Sequence, residues 1–85
     1  MDNRIVLLGI IVKEQSQVPE LNRLLSDNQQ YIIGRMGMPH HRHVDSELAI
    51  ISIAMEAPQD VISTLSGRIG MLKGISSKVV YADCD

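Results

Sequence analysis

Ile5-Val6-Leu7-Leu8-Gly9-Ile10-Ile11-Val12 carries no polar side chain, and five of its eight residues are β-branched. A continuous aliphatic run of this length and composition reads as a β-strand covered on both faces. A second run has the same character: Leu48-Ala49-Ile50-Ile51-Ser52-Ile53-Ala54-Met55 is apolar on both sides except for Ser52. Two such strands belong in the middle of a sheet, and the rest of the chain is arranged around them.

After the first run, Glu14–Gln17 is polar, and Ser16 is placed to cap a helix whose first turn holds Pro19 and Glu20. Val18, Leu21, Leu24 and Leu25 fall at helical spacing, so one stripe packs inward, and Ser26, Asp27 and Asn28 end the helix. Tyr31–Pro39 reads as a strand interrupted by Gly34 and Gly37 and closed by Pro39, which suits an edge position or a bulge. His40–Asp45 is a short polar connection to the second aliphatic run. Pro58, Gln59 and Asp60 open a second helix with Val61, Ile62, Leu65 and Ile69 inward; Gly70 is its stop and Gly74 a turn. Ile75–Tyr81, with Ser76 and Lys78 among its aliphatics, reads as an edge strand.

The order β-α-β-β-α-β is the split βαβ arrangement of ferredoxin-like folds. A right-handed crossover from the first strand to the second leaves a slot that the third fills. The expected architecture is α+β: a four-stranded antiparallel sheet in the order 4132 with two helices on one face. Residues 1–85 read as one domain, with no linker, repeat or low-complexity stretch. Helices on one face leave the other open, yet the central strands are apolar on both sides. A second copy of the chain is the simplest cover, so a homodimer or homotetramer is expected.

Composition narrows the function. The formal net charge is -2 and there are two Tyr, no Phe and no Trp, so neither a basic footprint nor a stacking platform for nucleic acid is present. A single cysteine, Cys84, cannot close an intramolecular disulfide, which suits a reducing cytoplasm. Asp2, Asn3 and Arg4 before the first run superficially resemble a signal peptide. The run is short, however, closes at Lys13 and Glu14, and lacks a small-residue cleavage site; nor is it long enough to span a bilayer. For catalysis there is no nucleophile elbow, paired carboxylate or metalloprotease signature, and no catalytic residue is assigned.

Three segments carry a family resemblance. Arg35-Met36-Gly37-Met38-Pro39 resembles the Arg-x-Gly-x-Pro signature of the iron-only hydrogenase system regulator family. Ser66-Gly67-Arg68-Ile69-Gly70, followed by Lys73-Gly74-Ile75, is similar to that family's (Ser/Thr)-Gly-(Lys/Arg)-(Leu/Ile)-Gly…Gly-(Val/Ile) segment, and the run Leu48–Met55 lies between them. The resemblance implies a ferredoxin-like fold similar to ACT domains and to the C-terminal domain of nickel-responsive repressors. It also implies a regulatory role, sensing a small effector or contacting a protein partner. Where relatives commonly carry Tyr, Arg and Glu after the proline, this chain has His40, His41, Arg42 and His43.

Arg35, Gly37, Pro39, Ser66, Gly67, Arg68 and Gly70 are therefore candidates for a ligand or subunit contact. The plainer readings compete: Gly34 and Gly37 as bulge markers, Gly67, Gly70 and Gly74 as helix-stop residues, and Gly9 as a bulge or packing residue. The glycines cluster toward the end of a helix instead of preceding its start, which argues against a phosphate cradle. His40, His41 and His43 form a possible nickel or zinc site, with imidazole the suitable ligand. The competing reading is a solvated hairpin of titrating histidines. Cys84 reads as a free thiol near the end of the sequence.

Overall fold

The alternation of burial along the first strand orients the molecule. The computed structural model describes residues 2–39 and 48–82. In β1 (Asn3–Val12), Val6, Leu8, Ile10 and Val12 are buried while Ile5, Leu7 and Ile11 are exposed. Successive side chains of a strand point to opposite faces, so β1 has one face in the core and one outside it. The other elements are α1 (Val18–Asp27), β2 (Ile32–Pro39), β3 (Ala49–Pro58), α2 (Gln59–Gly70) and β4 (Ile75–Tyr81). Single turns of 3-10 helix at Gln15–Gln17 and Gln29–Tyr31 flank α1.

The sheet is antiparallel in the order β2-β3-β1-β4, with the two aliphatic strands in the centre. This is the order expected from the sequence. β3 runs on past Met55 to Pro58, because Glu56, Ala57 and Pro58 pair with Ile5, Arg4 and Asn3. The core lies between the sheet and the two helices. Leu21, Leu24 and Leu25 of α1 and Ile62, Leu65 and Ile69 of α2 meet Val6, Leu8, Ile10, Val12, Ile53, Met55, Ala57 and Ile75. Val61 packs against this cluster but is only partly buried.

Three local expectations need correction. Ser16 does not cap α1: a 3-10 turn intervenes, the N-cap is Gln17, and the Ser16 hydroxyl donates to a Glu14 carboxylate oxygen at 2.8 Å. Instead, Asn28 serves the other end of α1, its side-chain amide donating to the Leu24 carbonyl at 2.9 Å. The bulge in β2 lies between Ile32 and Gly34, whereas Gly37 pairs in regular register with Ile51. Gly9 marks no bulge either, since its pairings with Ser52 and Lys78 are continuous with their neighbours.

Gly70 is the last residue of α2, but the left-handed residue is Gly74, at φ 77°. A Cβ at Gly74 would come within 2.5 Å of the Glu14 Cβ. The Gly74 carbonyl also accepts a hydrogen bond from the Lys13 N–H at 2.8 Å, tying the entry of β4 to the exit of β1. Glycine is required here by both backbone conformation and space.

Candidate functional site

The register of the sheet sorts the side chains of the open face into rows. Leu7 lies opposite Ala54 and Val80, and Gly34 lies beyond Ala54. The next row is Met36, Ser52, Gly9 and Lys78, and the one after it Met38, Ile50, Ile11 and Ser76. Ile5 lies opposite Glu56 at the other end. Of the ten exposed large hydrophobic residues among those described, seven (Ile5, Leu7, Ile11, Met36, Met38, Ile50 and Val80) occupy this one face. Scattered exposed aliphatics are ordinary, but a contiguous patch of them is the mark of an interaction surface.

Gly9 forms a low point in this face. The nearest atom that a Cβ there would meet is the Lys78 carbonyl oxygen, at 4.0 Å, so no contact inside the chain demands glycine. Beside it a depression of about 220 Å³ is lined by Gly9, Ile10, Ile11, Ile50, Ser76, Ser77 and Lys78. Its walls are nearly all apolar. A flat spot in an apolar face suits close approach by another apolar surface.

The other face carries two grooves beside the helices. One, of about 270 Å³, lies between α1 and α2 and brings Asp27, Asp60, Thr64 and Arg68 together over Leu24 and Leu65. The second, of about 410 Å³, lies between α1 and β2 and is lined by Asn22, Leu25, Ser26, Gln29, Ile32 and Arg35. Arg35 is opposite the buried Ile53, so it projects to the helix side of the sheet, where its Nη2 donates to Asn22 Oδ1 at 3.1 Å.

The residues singled out from the sequence thus separate. Arg35 lines one groove and Arg68 the other, and the two grooves share no lining residue. Gly37 lies on edge strand β2, as does Pro39, the strand's last residue. Ser66 is partly buried, and its carbonyl accepts a hydrogen bond from the Ser77 hydroxyl at 3.4 Å, joining α2 to β4. Gly67 and Gly70 are exposed on α2, and a side chain at either would stand in open space beyond the helix's own backbone. Asn22, Ser26 and Gln29 were not visible as site residues in the sequence. They read as the polar face of a helix and the turn after it, and only the packing of α1 beside β2 gathers them around Arg35.

His40, His41 and His43 lie outside the described residues, as does Cys84. Among the described residues no group of three or more His, Cys, Asp or Glu is placed to hold a metal ion. Nor is any helix among them long and apolar enough to cross a membrane. Among the described residues the ion pairs lie on α1: Arg23 pairs with Glu20 and, at 3.1 Å, with Asp27. The hydrogen bond from Arg23 holds the Glu20 carboxyl below the usual carboxylate range.

Comparison with known proteins agrees with this geometry. The uncharacterized protein TM1266 from Thermotoga maritima has a solved structure with a TM-score of 0.87 and 28% identity, covering 96% of this chain and 100% of that one. A Thermus thermophilus protein described as a "putative PII-like signaling protein" shares the fold at a TM-score of 0.51 and 18% identity, covering 96% of this chain and 90% of that one. CPII, a nitrogen regulatory PII-like protein from Thiomonas intermedia, does so at 0.51 and 13% identity, covering 98% and 100%; its structure is bound to ADP, AMP and bicarbonate. No curated protein matches the chain. The model of one family matches residues 4–79, from β1 into β4, and the chain belongs to that family, the TM1266-like proteins described as "Iron-only hydrogenase system regulator, putative".

Proposed function

We propose that this chain is a cytoplasmic regulatory module that works as a homo-oligomer, a homodimer or homotetramer, and responds to a small-molecule effector or a protein partner. It carries out no chemistry of its own and leaves any contact with DNA to another polypeptide. The observation that carries this reading is the open sheet face, where seven large aliphatic side chains stand about half exposed in register. Covering them is worth roughly 1 kcal/mol each, half of what full burial of such a side chain contributes. The sum rivals the whole stability of a chain this size, about 4–13 kcal/mol at roughly 0.05–0.15 kcal/mol per residue. A surface of that worth favours a partner, and a second copy is always at hand.

The family description supports a regulatory output, and the same fold serves PII-like signalling proteins. Arg35, Gly37 and Pro39 on β2, and Ser66, Gly67, Arg68 and Gly70 on α2, are the positions at which an effector or neighbouring subunit would touch the module. The test is a thermal-shift and calorimetric screen of the oligomer against metabolites. Stabilisation by at least one compound, with the oligomer intact, is the expected result. A persistent monomer that binds nothing would refute the reading.

A further inference from the structure

We infer that the groove between α1 and β2 is a binding site for a small oxyanion, the carboxylate or phosphate group of a metabolite, held by Arg35. The inference rests on the effector-sensing role proposed above and supplies the chemistry of the effector.

The argument begins with charge. An arginine guanidinium is always ionised and offers five N–H donors in a rigid fork. Arg35 spends one on Asn22, and among the described residues no carboxylate lies within ion-pair distance of it. Of the other described arginines, Arg23 lies between Glu20 and Asp27, Arg4 stands 5.0 Å over the Tyr81 ring, and Arg68, which has no ion pair, shares its groove with two acids, Asp27 and Asp60. Arg35 lines the groove with one donor on a neutral amide, and no described residue compensates its charge.

The lining matches. Asn22, Ser26 and Gln29 supply neutral amide and hydroxyl groups, Leu25 and Ile32 an apolar floor, and among the described residues no acidic side chain lines the groove. Asp27, the nearest acid in sequence, bonds Arg23 instead. The groove between the helices differs, because Asp27 and Asp60 stand there beside Arg68. About 410 Å³ falls within the ordinary range of small-molecule sites, roughly 300–1,000 Å³. A planar fork binds a carboxylate or phosphate through two parallel hydrogen bonds, and the amides and hydroxyl can take up the remaining polar atoms of the ligand.

The site also has a route to the oligomer face. Arg35 points to the helix side of β2, while its neighbour Met36 and then Met38 point to the open face. A second copy on that face leaves the groove accessible, and occupancy on one side shares a backbone with association on the other.

The test is isothermal titration calorimetry of the full chain with inorganic phosphate and pyrophosphate in one arm and citrate in the other. Saturable binding in one arm is expected, at least tenfold weaker in Arg35→Ala and unchanged in Lys13→Ala, which removes an exposed cation away from the groove. Asn22→Asp keeps the shape of the groove but gives Arg35 a carboxylate of its own, and it too should weaken binding at least tenfold. No saturable binding in either arm, or equal binding by wild type and Arg35→Ala, would overturn the site. Sedimentation velocity on the same samples separates the two readings. An oligomer that binds no oxyanion contradicts only this inference, and a monomer that binds contradicts only the oligomer.

Discussion

Replacing Leu7 and Ile11 together by serine removes the centre of the open face without touching the core. The two residues are 48% and 40% exposed in the single chain, so together they leave close to one whole aliphatic side chain uncovered. Burial of that much surface contributes about 2 kcal/mol per protomer, and about 4 kcal/mol in a symmetric pair where both copies lose it. At 1.4 kcal/mol per tenfold, the dissociation constant should rise by roughly a thousandfold. The fold itself should survive, since Val6, Leu8, Ile10 and Val12 on the other side of β1 are unchanged. The assay is sedimentation equilibrium of both proteins over a range of concentrations, with circular dichroism to check the fold. A folded double variant that associates as tightly as wild type would refute the reasoning, because the face would then contribute nothing to assembly.

Other outcomes follow from particular residues. Gly74→Ala forces a Cβ into a left-handed position within 2.5 Å of Glu14. It should cost about 1–3 kcal/mol, lowering Tm by at least about 4 °C in a chain of this length; an unchanged melting curve would contradict the turn. Glu20→Gln removes a carboxylate whose pKa is lowered by its hydrogen bond from Arg23. Such a group stabilises the fold above its unfolded pKa, and the contribution is lost as pH falls through the lower, folded value. The pair is exposed, so the variant should melt slightly below wild type at neutral pH and together with it in strong acid. A gap that persists in acid would mean that charge is not its source.

The sheet was legible because its signals are local and mutually consistent. Two doubly apolar runs could only be central strands, and the remaining two, interrupted by Gly34 and Gly37 or by Ser76 and Lys78, could only be edges. β4 begins at Ile75 and ends at Tyr81, as its composition indicated. Helix entry was harder to read. Ser16 has the right chemistry for a cap, but its hydroxyl finds the Glu14 carboxylate two residues back, and the chain makes a 3-10 turn before α1. Gly70 and Gly74 both looked like stops, and only the left-handed φ of Gly74 shows which of them the turn requires.

The candidate site was legible in part. Arg35 stood out by its motif, but its neighbours Asn22, Ser26 and Gln29 belong to a different element, and polar residues on the outer side of a helix ordinarily mean nothing more than solvent. Their role depends on how α1 settles against an edge strand, a tertiary fact that no local pattern encodes. The separation of Arg35 from Arg68 is of the same kind. One motif lies in β2 and the other at the end of α2, and the fold places their arginines in different grooves.

The central claim is that the uncovered sheet holds this chain to copies of itself. Sedimentation equilibrium of the wild-type protein at micromolar concentration tests it directly. The account predicts a mass at least twice the 9.4 kDa of one chain. A single species of one chain's mass across the whole concentration range would contradict it.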